Sequence, residues 1–268
     1  MNLGKSIRMN RLFSHPSGRF CTIAVDHFMG YGEGLPAGLR SIKATVAAIV
    51  AAKPDAVTMH KGIAASVWGP YAGQIPFILQ SSLAKVDDMA SEQIADPEDA
   101  VRLGAEAIAV AAFIRGKNEA DHLRKVSDCV KAAVRYDLPV ICHIYPRTYV
   151  DGVWAVSFKP EDIAWAVRCA VEVGVDIVKT PYCGDVKSYA QIVDECPVPL
   201  VAAGGPQTKD LATALQMMLE VVQGGGRGAT IGRNVWGFDH ITQSVQAFKS
   251  VIHDMTPPQE ALRLAGIE

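Results

Sequence analysis

Short β-branched runs alternate with longer amphipathic segments eight times along this chain, and few folds accommodate that rhythm. The strand candidates are Phe20–Asp26, Ala56–Met59, Pro76–Gln80, Ala107–Ala111, Val140–His143, Asp176–Lys179, Pro199–Ala203 and Gly228–Ile231. They are nearly all apolar, as parallel strands buried on both faces must be. Between them, Lys159-Pro160-Glu161-Asp162 opens one helix with a proline suited to the first turn and two carboxylates at the positive end of the dipole. Ile163, Ala166, Val167 and Ala170 form its apolar face, and Gly174 stands where a terminating glycine belongs. Successive strands begin 20 to 36 residues apart, the length of one βα unit.

Eight such units in 268 residues predict an α/β fold: one (β/α)8 TIM barrel over residues 1–268, with a short N-terminal extension and a C-terminal helix. The competing arrangement is an open, doubly wound sheet. Gly30-Tyr31-Gly32-Glu33-Gly34 follows the first strand, but the third glycine is misplaced for G-x-G-x-x-G and no acidic residue ends the second strand.

With 49% hydrophobic and 20% charged residues the chain has the means to bury a core, which excludes disorder. A net charge of −2 gives no electrostatic reason to expect nucleic acid or a membrane surface as partner. No apolar run is long enough to span a bilayer, and Met1–Arg8 has no apolar leader segment, so the expected setting is cytoplasmic. The six cysteines are never closer than 13 residues, so no C-x-x-C zinc or redox spacing occurs. Cys21 and Cys142 lie in strand runs, as small buried hydrophobes do.

Barrel active sites are built at the C-terminal ends of the strands. Here those ends carry Asp26-His27, His60-Lys61, Gln80-Ser81-Ser82, His143-Ile144-Tyr145-Pro146-Arg147, Lys179-Thr180, Ala203-Gly204-Gly205 and Ile231-Gly232-Arg233-Asn234. Lys179 follows Val175–Val178, so its ammonium rides on a buried strand. Burial disfavours the charged form and frees a neutral amine to attack a carbonyl. Lys61 also ends a strand, where it either tunes Lys179 by charge repulsion or turns out onto the rim.

Gly204, Gly205 and Gly232 let backbone N–H groups approach an anion at the last two strand ends, and Arg233 adds a charge there. That pattern predicts a phosphate site. Asp26 and Tyr145 are the candidate proton carriers. His27, His60 and His143 fall at strand ends too, yet neither a strand-one H-x-H nor an H-E-x-x-H is present, so they are expected to line the substrate pocket without a metal.

The ordered set Ile7–Phe13, Ala24–His27, Tyr145–Arg147, Asp176–Thr180, Ala203–Pro206 and Gly232–Trp236 resembles the archaeal-type class I fructose-bisphosphate aldolases. That family also includes 2-amino-3,7-dideoxyheptulosonate synthases and autoinducer-2-phosphate thiolases. The resemblance runs from about residue 5 to 265. It implies Lys179 as the Schiff-base lysine, Tyr145 as general acid/base and Asp26 as an aid to proton transfer or carbinolamine dehydration. It also implies Gly204, Gly205, Gly232 and Arg233 as phosphate ligands, no cofactor, a phosphorylated sugar substrate and a ring-based homo-oligomer, often a decamer. One departure stands out: the family's Trp-x-Tyr-Pro-Arg-Gly reads here His143-Ile144-Tyr145-Pro146-Arg147-Thr148, which should reshape the pocket. The stretch Phe28 to Pro36 differs as well.

The expected activity is metal-independent class I aldol cleavage or formation. Alternatives are a transaldolase-like synthase or acyl-transferring thiolase on the same lysine, a metal-dependent lyase or hydrolase on the histidines, and a sugar-phosphate-binding regulator.

Overall fold

The computed structural model describes residues 2–27, 29 and 34–267. Gly30 and Gly32 of the glycine-rich stretch, with Phe28, fall outside the described residues.

The strands are β1 (Phe20–Ala24), β2 (Ala56–His60), β3 (Phe77–Gln80), β4 (Ser82–Ala84), β5 (Ser91–Gln93), β6 (Ala107–Ile114), β7 (Val140–Val150), β8 (Val153–Val156), β9 (Ile177–Thr180), β10 (Leu200–Ala203) and β11 (Gly228–Ile231). Interleaved with them run α1 (Leu3–Leu12), α2 (Ile42–Ala51), α3 (Lys61–Val67), α4 (Pro97–Arg102), α5 (Glu119–Ala133), α6 (Pro160–Glu172), α7 (Val186–Asp194), α8 (Leu211–Gln223), α9 (Arg233–Trp236), α10 (Ile241–Asp254) and α11 (Pro258–Leu264). Eight strands pair in parallel in the order β1-β2-β3-β6-β7-β9-β10-β11, and β11 pairs back with β1 to close the ring. This is a (β/α)8 TIM barrel.

Successive strand residues point to opposite faces, so each strand sorts its side chains by parity. Phe20, Ala56, Ile78, Ala107, Ala109, Ile141, Ile177 and Val201 meet inside the barrel. The alternate positions, among them Cys21, Val57, Leu79, Cys142 and Val178, pack outward against the helices. Helix α6 follows the expected pattern, burying Ile163, Ala166, Val167 and Ala170 and ending before Gly174 at φ +87°. Helix α1 closes the N-terminal end of the barrel: Leu12 joins the inner cluster, Lys5 pairs with Asp176 at 2.9 Å, and Arg8 and Arg11 both reach Glu106. With that end plugged, the C-terminal end is the open one.

Two antiparallel hairpins rise from that open end. One is β4–β5, after β3; the other is β7–β8, in which β7 continues well past His143. Its turn is Asp151-Gly152, with φ +50° and +84°, the left-handed pair a two-residue hairpin needs. The strand expected to stop at His143 therefore runs on to Val150, because Pro146 lies where β7 leaves the barrel to pair with β8. Among the described residues, no helix is long and apolar enough to cross a membrane.

Candidate active site

Parity carries the chemistry into the barrel. Lys179 shares the inward face with Ile177, His143 with Ile141, Gln80 with Ile78, and each sits one layer above an apolar residue of the inner cluster. His143 and Lys179 are direct partners across β7 and β9. Tyr145, two residues further on the same face, stands above His143 with its ring 5.6 Å from that of Phe113. Together with Asp26 and His27 they line a cavity of about 480 Å³ at the open end of the barrel.

Lys179 is only 4% exposed. Burial pushes its ammonium down from the ordinary lysine value to about 8; Asp26 resists that shift and Arg233, a like charge, adds to it. At pH 7 roughly a tenth of such a lysine is neutral, against a few molecules in ten thousand for an ordinary one. The like charge that adds to the downward shift is Arg233, not Lys61.

Lys61 is not brought into the cavity. His60 ends β2 facing inward, so the next residue faces away, and Lys61 begins α3 on the rim with its ammonium 3.1 Å from Asp99. His60 itself lines the cavity and approaches the Gln80 carbonyl at 3.1 Å through Nδ1.

Burial alone would raise the Asp26 carboxyl, yet the hydrogen bond and charge of His27, then Lys179 and His60, hold it well below the usual carboxylate range. His27 Nδ1 lies 3.1 Å from one Asp26 oxygen, and Gln80 Nε2 donates to the other at 2.9 Å. The same Gln80 amide faces His143 Nδ1 at 3.2 Å, while Gln80 Oε1 accepts from Ser82 N–H. An amide nitrogen can only donate, so His143 accepts at Nδ1, and in its neutral form carries the proton on Nε2. Burial and the nearby Lys179 charge keep His143 neutral, well below the ordinary histidine range. Sequence reasoning gave Gln80 no role; its signal was its inward parity at the end of β3.

Between Lys179 on β9 and the Asp26–His27 turn after β1, the cavity is walled by Gly204, Gly205, Gly232 and Arg233. Gly205 adopts φ +73°, a conformation costly for other residues. At Gly232 a Cβ would collide with the imidazole of His27, so glycine is what lets β11's turn and the Asp26–His27 turn pack together. His27 is held on its other side by Trp236, edge-on at 5.6 Å, whose indole N–H donates to the Ala24 carbonyl at 2.9 Å.

Buried Asn234 staples the two glycine turns: its amide donates to Gly204 O at 2.8 Å and Pro206 O at 3.0 Å, and its Oδ1 accepts from Thr208 N–H at 2.9 Å. This residue too was invisible as a positioning group until the turns were seen side by side.

Arg147, from the Tyr-Pro-Arg segment, does not line the cavity. It is buried beneath both hairpins, pairs with Asp88 at 2.7 Å, donates to Val86 O at 2.8 Å and stacks over Trp154. Among the described residues, no three His, Cys, Asp or Glu side chains are grouped to hold a metal ion.

The sequence pattern of the DeoC/LacD family aldolases matches residues 20–237, which spans the whole barrel from β1 to the turn after β11. The chain belongs to this aldolase family. Among its relatives, the 2-amino-3,7-dideoxy-D-threo-hept-6-ulosonate synthase of Halobacterium salinarum is 33% identical, covering 98% of this chain and 97% of its own length. The 3-hydroxy-5-phosphonooxypentane-2,4-dione thiolase of Escherichia coli is 29% identical over 98% of this chain and 87% of its own. An archaeal fructose-1,6-bisphosphate aldolase, solved with its catalytic lysine covalently bound to the carbinolamine intermediate, superposes with a TM-score of 0.81 at 27% identity, covering 93% of this chain and 99% of that one.

Proposed function

We propose that this family member is a Schiff-base enzyme that breaks or forms a carbon–carbon bond in a phosphorylated ketose or a related sugar phosphate. The observation that carries the reading is one cavity holding a buried, partly neutral Lys179 at the end of β9 and the Gly204–Gly205–Gly232–Arg233 cluster at the ends of the next two strands, β10 and β11.

In this reading the glycine turns and Arg233 hold the phosphate, which places the substrate carbonyl at Lys179 Nζ. The neutral amine adds to the carbonyl carbon to give a carbinolamine, and loss of water gives an iminium. Asp26, an anion with His27 and Gln80 fixing its two oxygens, moves protons during that dehydration. In cleavage, the substrate hydroxyl gives its proton to the Asp26 carboxylate, the carbon–carbon bond breaks, and its electron pair passes into the iminium to leave an enamine. Tyr145 then protonates the enamine carbon, and water releases the product ketone from Lys179.

Borohydride trapping with a panel of phosphorylated ketoses, followed by peptide mass spectrometry, tests the assignment. Label is expected on Lys179, and Lys179→Ala is expected to be inactive. Tyr145→Phe is expected to keep the trapped imine while turnover falls by about 10²–10⁴. Activity surviving in Lys179→Ala would overturn the reading.

A second reading, a synthase or acyl-transferring thiolase on the same lysine, is favoured by the names of the two relatives with 33% and 29% identity. Turnover that depends on an added acceptor, with the same trapped lysine, would select it over simple cleavage.

A further inference from the structure

Beside Lys179 runs a chain of hydrogen bonds in which each direction forces the next. The Ser82 N–H can only donate, so the Gln80 atom 3.0 Å away is the carbonyl Oε1. The other end of that amide is then Nε2, which donates to the Asp26 carboxylate at 2.9 Å and faces His143 Nδ1 at 3.2 Å. His143 therefore accepts at Nδ1 and keeps its proton on Nε2. Among the described residues no group accepts from that Nε2–H, and the ring lines the cavity. His60 is sorted the opposite way. Its Nδ1 lies 3.1 Å from the Gln80 carbonyl, which only accepts, so its neutral ring presents Nε2 as an acceptor.

The place of this donor matters as much as its direction. In the layer of Lys179, the register partners are Val201 on β10 and His143 on β7. Val201 has no donor, so a carbonyl under attack by Lys179 has His143 as the polar neighbour in that layer. Burial and the Lys179 charge hold the imidazole neutral. A neutral imidazole is a very weak acid, so it polarises an oxygen by hydrogen bonding and keeps its own proton.

We propose that His143 is a catalytic residue whose Nε2–H binds the substrate carbonyl oxygen and holds the alkoxide that forms there. The Lys179 lone pair makes the new C–N bond, the C=O π pair moves onto oxygen, and the Nε2–H stabilises that charge. The proton released by the Lys179 nitrogen passes to the alkoxide by way of Asp26. A further proton, drawn from solvent through Asp26, lets the oxygen leave as water and the iminium form. The assignment rests on the reading of Lys179 as the attacking amine, and adds the group that activates its target. It also gives a chemical role to the histidine that stands in place of tryptophan before Tyr145-Pro146-Arg147.

Cyanoborohydride trapping with saturating dihydroxyacetone phosphate, read as labelling of Lys179 from pH 5.5 to 10, tests this. His143→Phe fills the site without a donor. It is expected to slow labelling about 10²-fold or more, with the profile still levelling off near pH 8. His143→Gln returns an N–H at similar reach and is expected to recover much of the rate. Labelling of His143→Phe at the wild-type rate would overturn the assignment. So would a slowed profile whose midpoint moves, because the ring would then act only through the ionisation of Lys179. A second measurement reads the donor without the lysine. In Lys179→Met the carbonyl survives, and its infrared band is expected at lower wavenumber than in Lys179→Met/His143→Leu or for the free ligand in water. A band no lower than that of the free ligand would overturn the assignment with His143 left in place. Wild-type protein that leaves Lys179 unlabelled, with the band shifted as expected in Lys179→Met, would overturn the lysine reading and leave His143 supported as the carbonyl donor.

Discussion

Gln80 donates its amide to a carboxylate oxygen of Asp26 across 2.9 Å, and this contact helps orient the one acid that, among the described residues, faces Lys179 in the cavity. Through the same nitrogen Gln80 also fixes the ring of His143, so one neutral side chain aligns two candidate catalytic neighbours. Gln80→Leu keeps the bulk and removes the donor. It is expected to lower kcat by about tenfold or more through misplacement of Asp26, with little change in KM. An unchanged kcat in steady-state assays would show that Asp26 is held by His27 alone.

Asn234 joins the two glycine turns by a buried amide. Asn234→Ala leaves the Gly204 and Pro206 carbonyls without their donor, at a cost of about 1–3 kcal/mol in denaturant unfolding. The larger functional effect is expected in KM for a phosphorylated substrate, because the turns lose their relative placement, while imine formation with an unphosphorylated ketone stays close to wild type. A fall in both alike would remove the turns from phosphate binding.

Lys179 is a stability cost in this fold. Its folded value of about 8 lies below the ordinary lysine value of about 10.4, so between those limits the unfolded chain binds more protons and stability rises with pH. Below pH 8 the burial penalty is present in full. Lys179→Met is expected to be inactive yet more stable at pH 7 by up to about 3 kcal/mol, and to lack the rise in stability above pH 8. Melting curves of both proteins at pH 7 and 10 check this; a less stable methionine variant at pH 7 would contradict it.

Much of this site was legible in the residues. Inward parity follows from Ile177 and Ile141 to Lys179 and His143, and the end of β11 at Ile231 puts Gly232 and Arg233 at the mouth. The same parity, applied to His60, already places Lys61 outside, since neighbouring strand-end residues face opposite ways. The hairpins were harder. Pro146 reads as the end of a strand, since it has no N–H for a ladder, although the Asp151-Gly152 turn beyond it is a strong hairpin signal. The roles of Gln80 and Asn234 depend on which distant turns meet, which no local pattern encodes.

Arg147 ties both hairpins to the barrel through Asp88, Val86 and Trp154. Burial alone would raise the Asp88 carboxyl, but Arg147 and then His122 hold it below its ordinary range. That contribution is present at neutral pH and is lost as pH falls through the folded value. Arg147→Met, which leaves Asp88 with His122 alone, is expected to destabilise the protein by about 3 kcal/mol and to raise KM by loosening the side of the cavity lined by Val86 and Val156. Denaturant titration at pH 7 with steady-state kinetics measures both. A variant as stable as wild type would mean that the clamp is dispensable.

The central claim is that Lys179 acts as a neutral amine because the barrel buries it. The rate of imine formation at Lys179 should be followed from pH 5.5 to 10 with a phosphorylated ketose and cyanoborohydride, the labelled peptide being quantified by mass spectrometry. The expected profile rises about tenfold per pH unit, levels off near pH 8, and places the label on Lys179. Label on another lysine, or a rate that keeps climbing toward pH 10 as for a solvated amine, would contradict it.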